Sequence, residues 1–254
     1  MQPPAEPSDA ADWLGRPVRC LECRHADMQR QGLCQRGRAC VHDRRARRVD
    51  RFFGSHPGLA DEYLDHPYFE VRAIAARYCT LFRLPALMDD PEPEVRAQVA
   101  LRLPPARIGR LAEDPDRRVR VAATSRLAGK ALVAMLRDPD YYVRLIAVRR
   151  LPPDVLPLAA GDPEPEVRRW AARRMPPERL GVLLGDQDPL VRLEVAERLP
   201  PARLHLLADD PDMRVRFAVV QRAPADLLGR FGRDAERLVR EAAAERRAEL
   251  EEEG

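Results

Sequence analysis

A unit that recurs every 24 residues limits what this 254-residue chain can fold into. A valine followed by an arginine marks each copy, and these anchor valines are Val71, Val95, Val119, Val143, Val167, Val191, Val215 and Val239. Repetition at such a period is typical of solenoids, in which each unit buries its apolar face against its neighbours. The sequence therefore predicts a stack of eight short units.

Each unit is predicted to begin with an α-helix. An aspartate stands five residues before the anchor valine in seven units and a proline often follows, as in Asp90-Pro91, which predicts an N-cap and a first helical residue. Residues four and eight positions after the anchor continue the apolar face. Proline pairs such as Pro104-Pro105 then end a helix of about 13 residues.

The rest of each unit is too short for a second full α-helix, because only roughly 11 residues remain for it and two turns. Tight turns of 3₁₀-helix fit this length, and β-branched alternation typical of strands is missing. These turns are expected to present to the core Leu84, Ile108, Leu132, Leu156, Leu180, Leu204 and Leu228. The fold class is thus all-α without β-sheet.

Four of the five cysteines lie close together, with the spacing C-x2-C-x10-C-x5-C, at Cys20, Cys23, Cys34 and Cys40. The N-terminus lacks the features of a secretory signal and no uncharged apolar run of membrane-spanning length occurs, so a cytoplasmic protein without disulfides is expected. Metal binding is the strongest interpretation of these cysteines. Cys79 falls where other units carry a core leucine or methionine, so we expect it to be a core residue.

Four thiolates suit either tetrahedral zinc or a 4Fe-4S cluster. Structural zinc sites usually contain two cysteine pairs with the short spacing C-x2-4-C. Here the second pair has the longer spacing C-x5-C, which favours an iron–sulfur cluster. Gly32 and Gly37 are expected to let the chain turn around Cys34. His25 and His42 could replace a ligand, but with four cysteines available both are expected to be exposed to solvent.

Basic charge is concentrated at the N-terminus, although the net charge is only +3. The arginines of this segment would offset the negative charge of a four-thiolate centre. Alternatively, four of them could form a patch for nucleic acid or an acidic partner, and these are Arg44, Arg45, Arg47 and Arg48. Aromatic residues do not alternate with these arginines, which argues against nucleic acid.

Two ladders of arginine run through the repeats. One follows each anchor valine, and the second lies six residues later except at Tyr78. Because basic and acidic residues balance in the repeats, we interpret both ladders as partners of the aspartates in adjacent units rather than as a binding face. Trp170 and Phe217 interrupt otherwise small positions, and space filling is the simpler interpretation.

The chain resembles the leucine-rich repeat variant proteins of nitrogen-fixing bacteria that carry a 4Fe-4S cluster. The resemblance rests on the 24-residue motif Asp-Pro-x-x-x-Val-Arg, on the Pro-Pro-x-x-Leu that follows it and on the N-terminal cysteine segment. This resemblance implies a right-handed superhelical solenoid of alternating α- and 3₁₀-helices. It also implies a cluster held by the four cysteines of an N-terminal domain. Departures from the motif are Gln187 and Ala235, which replace proline, and Arg247, which replaces an apolar residue.

We therefore expect a cluster domain at residues 1–50 and a solenoid at residues 51–254, whose last unit ends in glutamates and serves as the C-terminal cap. No catalytic motif is visible, so an enzyme is not predicted. The favoured hypothesis is a solenoid that binds a protein partner, with a cluster for electron transfer, redox sensing or cluster delivery. The alternative is a non-redox interaction scaffold with a structural zinc or iron–sulfur centre.

Overall fold

α-Helices alternate with 3₁₀-helices along the computed structural model, which describes residues 10–252. In this range no strand forms, and only two isolated β-bridges join Ala11 to Pro17 and Gln35 to Ala39. The α-helices of the described range are α1 (Ala26–Arg30), α2 (Ala46–Ser55), α3 (Phe69–Tyr78), α4 (Pro93–Arg102), α5 (Arg117–Thr124), α6 (Gly129–Ala134), α7 (Tyr141–Arg150), α8 (Pro165–Arg174), α9 (Pro189–Arg198), α10 (Met213–Arg222), α11 (Ala225–Leu228) and α12 (Arg237–Glu252). The predicted alternation without a sheet is confirmed.

Of the described residues, those from 10 to 131 form one compact unit, and those from 132 to 252 form a second. In the first unit α2 packs on α3, α3 on α4 and α4 on α5. In the second unit α7 packs on α8, α8 on α9, α9 on α10 and α10 on α12. Each helix thus rests on its neighbours in sequence, as expected of a repeat protein. The predicted boundary between residues 50 and 51 falls inside α2, and the division into two domains there stays a prediction.

The anchor valines form the centre of the core. None is more than 1% exposed, and the small or β-branched residues four positions later, such as Ala123 and Val195, are buried as well. Each buried valine contributes on the order of 1.5 kcal/mol or more relative to an exposed one. The repeated sequence motif therefore specifies the stacking directly.

The helices begin two residues later than the sequence predicted. Asp90 lies in the turn before α4, where its carboxylate accepts a hydrogen bond from the backbone N–H of Glu92 at 2.9 Å. The N-cap position lies two residues further on, and in four units it holds an aspartate that accepts a backbone N–H, namely Asp116, Asp140, Asp188 and Asp212. The N-cap prediction for Asp90 was wrong because an aspartate can satisfy the backbone of its own turn.

The second segment of each unit is 3₁₀-helix in most copies, as in Pro153–Ala159, Pro177–Leu183 and Pro201–Leu207. All seven predicted core residues of these segments are buried, with exposures of 0 to 3%. Leu132 and Leu228 differ because they lie in the short α-helices α6 and α11, where Ala128-Gly129 and Pro224-Ala225 stand in place of the proline pair. A typical helix spans 10 residues rather than the roughly 13 expected, since its first turn is replaced by the aspartate turn.

The two arginine ladders have different partners. Arginines of the first ladder bind the aspartate of the next unit, as in the pair Arg72–Asp90 with Nε–Oδ2 at 2.8 Å. Arginines of the second ladder donate instead to backbone carbonyls near the end of the preceding helix, as Arg102 does to Ala76 and Cys79 at 2.9 and 2.7 Å. The predicted pairing with aspartate is therefore confirmed for the first ladder and wrong for the second.

Candidate metal centre

The first two cysteines of the N-terminal segment share one tight turn. Cys20 begins the 3₁₀-helix Cys20–Glu22, and Cys23 follows it directly, with its backbone N–H donating to the carbonyl of Cys20 at 3.3 Å. Both cysteines are partly buried. This is the local arrangement that the C-x2-C spacing predicts.

Glycines allow the chain to turn on both sides of Cys34. Gly32 and Gly37 both have φ of +73°, the left-handed region that favours glycine, as the sequence predicted. Beyond them the chain folds back, and Gln35 and Ala39 exchange two backbone hydrogen bonds of 2.9 Å. This tight loop leads Cys34, which is partly buried, towards Cys40.

Cys40 is the most enclosed of the four cysteines, with 8% exposure. Its backbone N–H donates to the carbonyl of Arg48 in α2 at 3.1 Å. Burial raises the pKa of the Cys40 thiol to about 12, although a hydrogen bond from the backbone of His42 opposes this shift. The same residue therefore links the cysteine segment to the first long helix.

The four thiols lie near enough to influence one another. Burial raises the pKa values of Cys20 and Cys34, and in both cases Cys23 raises the pKa further. Cys20 and Cys23 also raise the pKa of Cys40. Within residues 10–252 no three His, Cys, Asp or Glu side chains stand close enough to hold a single metal ion. The structure thus gathers the cysteines in one neighbourhood without closing a mononuclear site.

The chemistry of this neighbourhood fits a four-thiolate centre. A coordinated metal displaces thiol protons, which removes the cost that burial places on free thiolates. Backbone N–H groups point at two of the sulfurs, since His25 donates to Cys23 Sγ at 3.3 Å and His42 donates to Cys40. Such bonds stabilise negative charge on ligand sulfur and influence the reduction potential of a cluster.

His25 is buried rather than exposed, so the prediction for this residue was wrong. It is 7% exposed, and its Nε2 is hydrogen-bonded to the hydroxyl of Tyr63. Its ring lies 5.4 Å from that of Phe52, and burial lowers its pKa. His42 is half-buried, and burial lowers its pKa too. Neither histidine therefore has the exposed position that the sequence predicted.

Sequence reasoning missed the aromatic support of the cysteine segment. Phe52, Phe53 and Tyr63 are buried and pack around His25 or one another. A signal was present, because only 5% of the chain is aromatic and these rings stand within a short stretch after the cysteines. Apolar surroundings of this kind control solvent access to a metal centre.

One arginine of the predicted basic patch is buried. Arg48 forms a buried ion pair with Asp43 at 2.9 Å, so it does not belong to the exposed patch that the sequence predicted. Arg44, Arg45 and Arg47 are exposed as expected. The predicted patch is therefore reduced to three arginines.

One face of the cysteine segment opens onto a cavity of about 650 Å³. Cys23 and His42 line it together with Trp13, Arg16 and Arg19. The arginines are paired with nearby carboxylates, as in Arg16–Asp12 and Arg19–Glu22. Access from solvent therefore reaches at least one of the four sulfur-bearing residues.

Cys79 lies outside this site. It is 2% exposed in the core of the repeats, and its Sγ is 3.6 Å from Nη1 of Arg102. Its expected position in the core is confirmed. No helix in residues 10–252 combines the length and the apolar character that are needed to cross a bilayer.

Two family models match the chain. The model described as "LRV protein FeS4 cluster" matches residues 10–62, and the "Leucine rich repeat variant" model matches residues 93–116. The first match covers all four clustered cysteines together with Phe52 and Phe53. The segment is therefore a 4Fe-4S cluster-binding region by family.

A solved structure and a curated relative extend these matches. The structure, described as "a leucine-rich repeat variant with a novel repetitive protein structural motif", is 39% identical, covers 90% of this chain and 98% of its own, and has a TM-score of 0.85. The relative is described as "Uncharacterized 27.7 kDa protein in nifB 3'region" of Rhodobacter capsulatus and is 47% identical over 83 residues. That match covers 33% of this chain and only 34% of the relative.

Proposed function

Because this chain belongs to the leucine-rich repeat variant family, we propose that Cys20, Cys23, Cys34 and Cys40 hold its 4Fe-4S cluster and that the solenoid binds a protein partner. The cluster serves electron transfer, redox sensing or cluster delivery to that partner. When bound, it supplies a one-electron couple. The protein supplies the thiolates, the N–H donors and the enclosed surroundings.

The observation that carries this proposal is the position of the cysteines at a solvent-accessible edge. Three of them are only partly buried, and Cys23 lines the open cavity next to Trp13. Electrons pass between proteins over short distances, so a centre near the surface suits exchange with a partner. A purely structural centre gains nothing from such access.

We place the protein in the cytoplasm and assign it no catalytic reaction. Thiols stay reduced in that compartment, which suits five cysteines without a disulfide. The curated relative is named for the nifB 3' region, and we extend that nitrogen-fixation setting to this chain as part of the proposal.

The alternative function is a non-redox scaffold in which zinc or an iron–sulfur centre only fixes the first repeat. The hydrogen bond from Cys40 to Arg48 favours it, because this bond ties the cysteine segment to α2. In this alternative the metal contributes folding free energy and no electron exchange.

Anaerobic purification of the full chain followed by titration with dithionite separates the two functions. The proposal predicts a brown protein that bleaches on reduction and recovers its colour on reoxidation. A colourless zinc protein, or a centre that dithionite does not reduce, would favour the scaffold. Transfer of iron and sulfide to an apo-ferredoxin would identify cluster delivery among the three roles.

A further inference from the structure

Two arginines of α2 lie on the side of the helix that faces solvent. Arg47 and Arg51 are four residues apart and both are exposed, so they share one face of the helix. The opposite face holds Val49, Phe52 and Phe53, none of which is more than 1% exposed. Because these apolar residues fix the orientation of α2, both guanidinium groups stay at the surface.

A third arginine lies beside them, on the loop that joins two of the clustered cysteines. Arg38 stands between Cys34 and Cys40 and is exposed, and its backbone carbonyl accepts a hydrogen bond from Nη1 of Arg51 at 3.4 Å. This contact places the loop against the solvent-facing side of α2. We call the three arginines Arg38, Arg47 and Arg51 the α2 basic face.

The α2 basic face keeps its positive charge. Within residues 10–252 none of its three arginines forms an ion pair with a carboxylate. Residues 31–56, which contain the face, hold seven arginines and only two aspartates. This excess of arginine is larger than the negative charge of a four-thiolate cluster, so the surface stays positive when the cluster is bound.

Both aspartates of this stretch are engaged by other residues. Asp43 is 1% exposed and binds Arg48. The carboxylate of Asp50 lies 2.8 Å from the guanidinium of Arg77 and 3.0 Å from the hydroxyl of Tyr78, and both of these partners belong to α3, on which α2 packs. Neither aspartate therefore neutralises the α2 basic face.

An exposed leucine lies at the end of α2, next to one of the cysteines. Leu33 is 48% exposed and directly precedes Cys34, which is partly buried. The backbone carbonyl of Leu33 is hydrogen-bonded to Nε2 of His56 at 2.7 Å, and His56 is the residue at which α2 ends. The surface of α2 thus combines arginines that attract a charged partner with an apolar contact beside a cluster ligand.

The charge and the position of this surface indicate what binds there. A positive surface attracts proteins whose own surface is acidic and raises the rate of encounter. Electrons pass between proteins over short distances, and the loop of Arg38 is bounded by two of the cysteines. Nucleic acid fits less well, because its binding uses many phosphate contacts or stacked aromatic rings, and the aromatic residues Phe52 and Phe53 are buried here.

We propose that the α2 basic face docks an acidic electron-carrier protein beside the cluster. This rests on the proposed function and deepens it, because it names the surface and the kind of partner that exchanges electrons with the cluster. An interface of this kind is small and transient, so its binding is weak and falls as salt screens the charges.

Calorimetric titration of the anaerobically purified full chain with flavodoxin tests the docking proposal. Flavodoxin is the probe because it is an electron carrier with an acidic surface and contains no iron. We expect it to bind at low ionic strength and to lose affinity as salt is added. The double variant Arg47→Gln, Arg51→Gln should weaken binding about tenfold, the combined effect of losing two exposed ion pairs. The double variant Arg47→Lys, Arg51→Lys keeps the charge and should stay within about twofold of the wild type.

The matched control is the double variant Arg107→Gln, Arg179→Gln, which removes two exposed arginines from 3₁₀-helices of the repeats and so changes the net charge equally. Its affinity for flavodoxin should equal that of the wild type, and thermal melting should show that all variants fold. Equal loss of affinity in this control, or no binding of flavodoxin at low ionic strength, would overturn the proposal. So would duplex DNA that binds more tightly than flavodoxin and loses affinity in Arg47→Gln, Arg51→Gln.

The visible absorbance of the same samples separates failure of this proposal from failure of the proposed function. Calorimetry reports the binding of flavodoxin whether or not the cluster is present, and absorbance reports the cluster alone. A brown protein that bleaches with dithionite and does not bind flavodoxin would overturn only the docking surface. A colourless protein that binds flavodoxin through Arg47 and Arg51 would overturn only the cluster.

Discussion

Arg192 joins two successive repeats through the nitrogen atoms of its guanidinium group. Its Nε and Nη2 donate to the carboxylate of Asp210 at 2.7 and 2.9 Å, while Nη1 donates to the backbone carbonyl of Asp186 at 2.7 Å. The same arrangement recurs at Arg72–Asp90, Arg96–Asp114, Arg144–Asp162, Arg168–Asp186 and Arg216–Asp234. One side chain thus fixes the aspartate turn of its own unit to that of the next.

Replacing Arg192 with lysine is expected to lower the free energy of unfolding by about 2 kcal/mol, because an ammonium cannot form the paired bonds of the guanidinium. Both side chains of the Arg192–Asp210 pair are buried, with exposures of 11% and 3%. Urea unfolding measures the change. Arg214→Lys is the control, since Arg214 is 53% exposed and pairs with Asp212 of its own unit, so its loss should stay below about 0.5 kcal/mol. Equal losses in the two variants would contradict the role of the ladder.

Acid should destabilise the repeats between about pH 4 and pH 2. A hydrogen bond from Arg118 lowers the pKa of Asp116 to about 2, and one from Arg214 does the same for Asp212. A carboxyl whose pKa is lower in the folded state stabilises the fold above its unfolded pKa, and that stability is lost as pH falls through the folded value. Urea midpoints at a series of pH values check this. The double variant Asp116→Asn, Asp212→Asn should show a shallower decline, and an unchanged decline would contradict the assignment.

Arg198→Met should lower the free energy of unfolding by about 1.5 kcal/mol, because it removes hydrogen bonds to the carbonyls of Ala172 and Met175 near the end of α8. Methionine keeps most of the apolar stem of the arginine, so packing changes little. Arg203→Met is the control, since the contact of Arg203 to the carbonyl of Glu178 is long, at 3.4 Å, and exposed to solvent. Thermal melting compares them, and a larger loss in Arg203→Met would contradict the capping role.

Gly32→Ala should weaken cluster binding. Its φ of +73° costs an alanine on the order of 1 kcal/mol, although the position has space for a methyl group. The visible absorbance of the cluster should disappear at a lower urea concentration than in the wild type. Gly58→Ala is the control because Gly58 also has open space but an ordinary φ, and a similar effect there would contradict this explanation.

Much of the repeat could be predicted because residues that are close together in sequence specify its helices and its core positions. The anchor valines and Leu84 face the core, as their spacing requires. The exact helix start could not be predicted, because Asp90 can cap a helix or close its own turn, and in the structure it closes the turn and binds Arg72 of the preceding repeat. The carbonyl contacts of Arg198 reach back 26 and 23 residues, and no sequence rule links such atoms.

The cysteines of the candidate site could be selected from the sequence, whereas the side chains that surround them could not. Spacing alone selects Cys20 and Cys23 as a pair, and the repeat register excludes Cys79. The burial of His25 depends on Tyr63, which is 38 residues away in sequence. Contacts at such separation follow from packing of the whole segment, so a pattern of neighbouring residues could not reveal them.

The most direct test of the account is the amount of iron and acid-labile sulfide per chain in protein purified without oxygen. We predict about four of each in the wild type and in Cys79→Ala, whose thiol lies in the core of the repeats. Single alanine variants of Cys20, Cys23, Cys34 and Cys40 should each lose most of both. Zinc in place of iron, or equal loss of iron from Cys79→Ala and Cys34→Ala, would contradict it.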